Sequence, residues 1–168
     1  MRKQKGFSLI ELLIVVAIIL IIAAIAIPNL LRARISANES SAASIVRTLN
    51  TAEVSYVTAY PSVGYAATMA NLGGAGPCTP SSATACLIDN TLAATGGTAG
   101  KSGYYFVGTG IGSSGVLGQY LITATPIALN SSGVNSFCSV EDAVVRKDST
   151  GATAGSHDAC AAEGSLGN

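Results

Sequence analysis

The sequence predicts an α+β fold in which one long N-terminal helix packs on a small antiparallel sheet of three to four strands. Three observations lead to this prediction. The apolar residues are concentrated near the N-terminus, where every residue from Leu12 to Ile27 is apolar. An apolar pattern with helical spacing then continues to about Tyr60. Beyond Pro61 the composition changes to Gly, Ser, Thr and Ala, with short aromatic and β-branched runs that are typical of strands.

The overall composition argues against a soluble enzyme and against a nucleic-acid-binding domain. Of the 168 residues, 49% are hydrophobic and only 11% are charged, which is about half the charged fraction of an ordinary globular domain. Nine Lys and Arg balance nine Asp and Glu, so no net charge attracts nucleic acid. The single histidine has no nucleophile motif or phosphate-binding loop to complement it. We therefore expect no enzymatic activity and no cofactor.

The N-terminal segment has the dimensions of a membrane span. As a helix, positions 7–27 cover roughly 30 Å, the thickness of the hydrocarbon core, and only Ser8 and Glu11 interrupt the apolar run. A basic leader at 1–6 precedes the run and favours a cytoplasmic N-terminus. The run is longer than a typical secretory signal and leads into Pro28 without a small-residue cleavage site. A plain anchor does not account for Glu11, because a carboxylate in hydrocarbon is costly.

Residues 5–11, KGFSLIE, together with the adjoining apolar helix, resemble the class III signal of type IV prepilins and type II secretion pseudopilins. The resemblance implies that a prepilin peptidase cuts after Gly6 and methylates the new N-terminus at Phe7. It also implies that Glu11 pairs with the N-terminal ammonium of a neighbouring subunit, since neither charge is stable alone in a dry core. The alternative is that Glu11 stays protonated or reaches towards the membrane surface.

This resemblance implies a type IV pilin-like fold and a structural role. The chain is expected to be stored in the inner membrane, to polymerise through its N-terminal helix, and to have other copies of itself as its main partner. A prepilin peptidase/methyltransferase, an inner-membrane platform and an assembly ATPase are the other implied partners.

Three destinations are compatible with these sequence features. One is an extracellular pilus for adhesion, twitching motility or DNA uptake, which the Gly/Ser/Thr-rich surface and the cysteines favour. Another is the periplasmic pseudopilus of a type II secretion system, because the predicted strand sequences GYYF and YLITATP resemble those of major pseudopilins. The last is a membrane-anchored exported domain.

The helix is predicted to extend to about Tyr60, on the order of 80 Å from Phe7, and to end before Pro61. Pro28 removes one helical hydrogen bond and therefore predicts a kink or a local break. The resemblance implies that this region loosens in a fibre. The alternative is a simple bend. Polar residues, Asn50 and Glu53 among them, mostly lie outside the predicted apolar face. That face comprises Ile35, Ala42, Ile45, Leu49, Ala52 and Tyr56.

The remaining segments contain the predicted sheet. The glycines between 108 and 115 predict a flexible hairpin linker, and residues 65–72 predict a short helical turn. The strands are expected at 103–108, 119–125, 134–140 and 143–147. In chain order, the predicted segments are a leader at 1–6, a hydrophobic transmembrane and assembly helix at 7–28, an amphipathic helix at 29–60, a connecting loop at 61–101, the antiparallel sheet at 102–148 and an irregular C-terminal tail at 149–168.

Four cysteines, Cys78, Cys86, Cys138 and Cys160, all lie beyond the apolar segment. An even number in an exported domain predicts two disulfides with three possible connectivities, and proximity in the sequence favours Cys78–Cys86 and Cys138–Cys160. No CxxC pair is present and His157 is the single histidine, so we expect no zinc site.

Glu141, Asp142 and Asp148 form the main acidic cluster. Major pseudopilins carry a calcium site in roughly this region, but the spacing here matches no recognisable calcium loop. We therefore expect a solvated turn and no metal.

Overall fold

A computed structural model describes residues 7–94, 100–113 and 115–166; the leader at 1–6, with Gly6, lies outside the described residues. The chain forms two compact units, unit 1 at Met1–Arg34 and unit 2 at Ile35–Asn168. Helix α1, Leu9–Ala59, contributes its first half to unit 1 and its second half to unit 2. It ends one residue before the predicted Tyr60.

In unit 1, helix α1 is apolar and exposed on all sides. By length and composition it can cross a membrane, with a mean hydropathy of 3.3 in its most apolar window. The helix continues without interruption through Pro28, so the predicted local break is absent from this structure. The proline nitrogen cannot donate to the carbonyl of Ala24, but only this one bond is lost, and the neighbouring Ala26 and Leu30 are strong helix formers. Loosening of this region in a fibre stays a prediction.

In unit 2, the second half of α1 packs on the sheet through a face close to the predicted one. Four residues differ from the prediction: Ala43 and Val46 are buried, whereas Ile35 and Ile45 are only partly buried. Asn50 and Glu53, which we expected outside the apolar face, are also buried. The buried apolar residues of the helix are Ala42, Ala43, Val46, Leu49, Ala52 and Tyr56.

The sheet has four antiparallel strands among the described residues, so the predicted α+β architecture is confirmed. In their order across the sheet, the strands are β1 Tyr104–Ser113, β2 Val116–Pro126, β3 Ser136–Ser139 and β4 Arg146–Asp148. The two long strands pair with Phe106 opposite Ala124, and β3 joins them with Cys138 opposite Thr123. The buried rings of Tyr104, Phe106 and Tyr120 cover α1 from these strands.

The predicted hairpin linker is largely part of a strand. Gly108, Gly110 and Gly112 lie inside β1, which extends well beyond the predicted 103–108. The glycines are needed for close approach, since a Cβ on Gly110 would lie 2.5 Å from the carbonyl oxygen of Ala66. The loop after α1 therefore lies directly against the strand.

Three short helices complete the described structure: α2 Met69–Leu72, α3 Asn90–Ala93 and α4 His157–Ala162. Helix α2 lies inside the helical turn predicted at 65–72. Helix α4 corrects the prediction of an irregular tail at 149–168. It forms because the Ser156 hydroxyl caps its first turn by accepting from the amide of Ala159 at 3.1 Å, and because Cys160 is tied to β3 by a disulfide.

Candidate functional site

The N-terminus of α1 holds the residues that the sequence singles out for assembly. Phe7 is 81% exposed and precedes the helix, which begins at Leu9. The Ser8 amide donates a hydrogen bond to Oε2 of Glu11 at 2.9 Å. This is one half of a capping box, in which a carboxylate at the third helical position accepts from the residue that caps the helix. The Ser-x-x-Glu spacing was visible in the sequence, but our interpretation of Glu11 did not use it.

This geometry turns the Glu11 carboxylate back towards the start of the helix. Here the first amides of the helix have no helical acceptor, so a negative charge is favoured. The amide that Glu11 accepts from belongs to the residue directly after Phe7. Among the described residues no other hydrogen bond to Glu11 is formed, so its second oxygen is available to another donor.

The surroundings of Glu11 in unit 1 are apolar side chains that no other part of the described chain covers. Leu9, Ile10, Leu12 and Leu13 are all more than half exposed, and the same holds for most large side chains up to Leu31. A continuous apolar surface of this size requires lipid or other protein to cover it.

Two disulfides brace unit 2, with the pairing that sequence proximity favours. Cys78 and Cys86 close a short loop with their Cα atoms 6.1 Å apart, and Cys138 and Cys160 join β3 to α4 with a Cα separation of 6.0 Å. The second bond is buried and holds the C-terminal segment on the sheet.

Sequence reasoning missed a buried polar cluster that fixes α1 to the rest of unit 2. The Asn50 amide donates to Oγ of Ser139 at 2.9 Å and to the carbonyl of Ala143 at 3.1 Å, and its Oδ1 accepts from the Tyr120 hydroxyl at 3.1 Å. Glu53 accepts from the amide of Ala66 at 2.9 Å. Burial raises the pKa of Glu53 to about 7, although this hydrogen bond acts in the opposite direction. The available signal was that Asn50 and Glu53 are three residues apart and directly follow Leu49 and Ala52, which belong to the predicted apolar face.

The acidic cluster is divided among three separate contacts. Glu141 pairs with Nε2 of His157 at 2.7 Å, the Arg146 guanidinium donates to Asp142 at 3.0 Å, and Asp148 accepts from the amide of Thr150 at 2.8 Å. Among the described residues, no group of three or more His, Cys, Asp and Glu side chains is arranged to hold a metal ion.

Comparison with known proteins locates a recognised signal in the N-terminal segment. Residues 1–27 match the family described as the prokaryotic N-terminal methylation motif. The chain carries this methylation motif. The match contains Gly6, Phe7 and Glu11, and it ends one residue before Pro28.

Two curated relatives are similar to part of this chain. The chain is 68% identical over 40 residues to a protein of Thermus thermophilus named as the type IV wide pilus major component PilA4. It is 48% identical over 54 residues to the type IV major pilin protein PilA of Myxococcus xanthus. The matches cover 24% and 32% of this chain, and 30% and 24% of the relatives. No solved structure matches. The resemblance to type IV pilins is thus confirmed, and the relatives are named as structural components, not as enzymes.

Proposed function

We propose that this chain is a structural subunit of a type IV pilus filament. The observation that carries the proposal is a methylation motif joined to a helix whose apolar side chains are exposed all round. The two relatives are named as pilus components. In this proposal the precursor lies in the inner membrane with its N-terminus in the cytoplasm. A prepilin peptidase cuts between Gly6 and Phe7, and an assembly ATPase acting through an inner-membrane platform drives polymerisation into an extracellular fibre.

Glu11 sets the stagger between subunits in this proposal. Cleavage creates an α-amino cation on Phe7, beside the amide that Glu11 accepts from within its own chain. In a bundle of helices the free oxygen of Glu11 accepts from the ammonium of a neighbouring copy. The pair is stable in an apolar bundle only when both charges meet, so subunits shifted along the axis are disfavoured.

Contacts between the apolar first halves of helix α1 in neighbouring copies hold the fibre together. Removing Arg2, Lys3 and Lys5 with the leader leaves six Lys and Arg against nine Asp and Glu, so like-charged chains do not attract by net charge. Burial of the exposed apolar surface contributes about 25 cal/mol per Å² relative to water. Because the stored subunit is already in lipid, the net gain is smaller, and an energy-consuming extraction step is required.

The test is N-terminal mass spectrometry of protein sheared from the cell surface. A chain that begins at N-methylated Phe7 in this fraction supports a processed, external subunit. The same processed chain confined to the cell envelope supports a type II secretion pseudopilus instead. A chain that retains residues 1–6 refutes the proposal.

A variant pair tests the role of Glu11. Glu11→Ala should be cleaved and inserted in the membrane like the wild type, but should yield few fibres. Ser8→Ala is the matched control, because it retains the backbone amide that contacts Glu11 and should assemble normally. Normal fibre yield from Glu11→Ala would exclude the register role.

A further inference from the structure

An open groove of about 380 Å³ lies on the solvent-facing side of α1 in unit 2. Val54 is 48% exposed there, which makes it an apolar side chain within a mainly polar rim. The guanidinium of Arg47 is exposed, and none of the ion pairs among the described residues includes it. The groove is lined by Arg47, Asn50, Thr51, Val54, Ser55 and Ala143.

Helix α1 has three basic and three acidic residues, whereas the chain beyond it has an excess of acidic residues. All the basic residues of α1, which are Arg32, Arg34 and Arg47, lack an ion pair in the described structure. Beyond Pro61 the acidic residues outnumber the basic ones by six to three. The acidic residues are Asp89, Glu141, Asp142, Asp148, Asp158 and Glu163, and the basic ones are Lys101, Arg146 and Lys147.

Asp158 at the start of α4 is the most accessible of these carboxylates. Its side chain is 99% exposed; one oxygen contacts Nδ1 of His157 at 3.1 Å, and the other has no partner among the described residues. Behind it, Ala159, Ala161 and Ala162 form an exposed surface of small apolar side chains. The buried Cys160 anchors this surface to β3 through its disulfide. Helix α4 thus exposes a carboxylate and a surface of alanine side chains, and the disulfide holds both in place on the sheet.

We propose that the groove on α1 binds helix α4 of a second copy of this chain. Asp158 of one copy pairs with Arg47 of the other, and the alanine face of α4 covers Val54. The inference deepens the proposed function, on which it rests. The groove and α4 share no residue, so the contact is heterologous. A heterologous contact that does not close into a ring generates an open helical fibre.

Among the described residues, Arg47 is the charge near the groove that is free to pair with Asp158 of a second copy. Asp142 lies next to the lining residue Ala143, but its pairing with Arg146 largely neutralises it, so Arg47 is the charge available to an incoming acid. An exposed ion pair by itself adds little, whereas one that is partly desolvated beside Val54 and the alanines is less screened. The charge pair therefore contributes mainly to orientation and specificity.

The first experiment is a charge exchange in the full-length chain expressed in its host. We measure the fraction of processed chain recovered in fibres, whether sheared from cells or extracted from the envelope. Arg47→Asp and Asp158→Arg should each lower this fraction by about threefold or more at low salt, and the double exchange should restore it to within about twofold of the wild type. Ser62→Asp and Ser62→Arg are controls that add either charge at an exposed position outside the groove, and should leave the fraction unchanged. Intact-mass measurement of both disulfides checks that each variant has folded.

The outcomes separate this inference from the proposed function. If the wild type forms fibres but the double exchange does not restore what the single variants lose, the groove contact is wrong. The same holds if the single variants lose nothing. In both cases the proposal that the chain is a fibre subunit is unaffected. If the processed wild type forms no fibres, both are wrong.

The second measurement identifies the contact directly. A benzophenone amino acid in place of Val54 should cross-link within wild-type fibres to a peptide that contains residues 157–163. A cross-link to another segment, or no cross-link in fibres that form normally, overturns the inference.

Discussion

The buried carboxylate of Glu53 accepts a hydrogen bond from the amide of Ala66 at 2.9 Å, and thereby joins α1 to the loop that crosses β1. Glu53 is only 1% exposed, and among the described residues it forms no ion pair. A buried carboxylate with one hydrogen bond is expected to favour its protonated form. Because burial raises the pKa of Glu53, the attachment of α1 to this loop is sensitive to pH.

We expect unit 2 to lose stability as the pH rises from about 4.5 to about 7. Burial raises the pKa of Glu53 from 4.5 to about 7 in the folded chain. Below pH 4.5, Glu53 is protonated in both the folded and the unfolded chain, and its contribution to the free energy of unfolding is at its maximum. As the pH rises, Glu53 ionises first in the unfolded chain, so the stability falls until it also ionises in the folded chain. The loss is about 3 kcal/mol over this window. Urea unfolding of the processed chain in detergent at several pH values measures it. Glu53→Gln should flatten this part of the profile, and an unchanged slope would contradict the assignment.

The Cys138–Cys160 disulfide should stabilise unit 2 more than Cys78–Cys86 does. The sequence separations are 22 and 8 residues, and the loop-entropy difference corresponds to about 1 kcal/mol. The paired serine variants, Cys138→Ser with Cys160→Ser and Cys78→Ser with Cys86→Ser, are compared by urea unfolding. Equal losses would mean that loop closure is not the main effect. Intact mass without reductant should lie about 4 Da below the all-thiol value if both bonds form, two hydrogens being lost per bond.

Tyr120→Phe should destabilise the protein by about 1–2 kcal/mol. The Tyr120 hydroxyl donates to Oδ1 of Asn50 at 3.1 Å inside the core, so its removal leaves a buried acceptor unpaired. Tyr105→Phe removes a hydroxyl from the neighbouring strand at a partly exposed position, and should change the free energy of unfolding little. Similar values for the two variants would argue against the buried cluster as an anchor of α1.

Gly110→Ala should destabilise unit 2 by more than about 1 kcal/mol, because a Cβ there would lie 2.5 Å from the carbonyl oxygen of Ala66. Gly118→Ala on the adjacent strand is the matched control, since a Cβ at Gly118 meets nothing within 4 Å. Thermal unfolding of both variants measures the difference. If Gly110→Ala is as stable as Gly118→Ala, the loop does not depend on this close approach.

Short-range patterns predicted much of the fold. The uninterrupted helical pattern before Pro61 predicted α1 to within one residue of its end at Ala59. The aromatic and β-branched runs predicted the sheet, and the spacing of the cysteines favoured the pairing that the structure contains. The methylation motif was recognisable because its residues are contiguous in the sequence.

Local sequence features are sufficient to predict the apolar N-terminal helix with its signal, the α+β class and the residues that form the disulfides. Each of these depends on neighbouring residues or on local spacing. Contacts between distant parts of the chain are needed to bury Asn50 and Glu53, to place the glycines of β1 under a loop, and to form α4 in the tail. Asn50 and Glu53 are buried because Tyr120, Ser139 and Ala66 supply hydrogen bonds from distant segments. A polar residue can enter the core only where the rest of the chain brings it a partner.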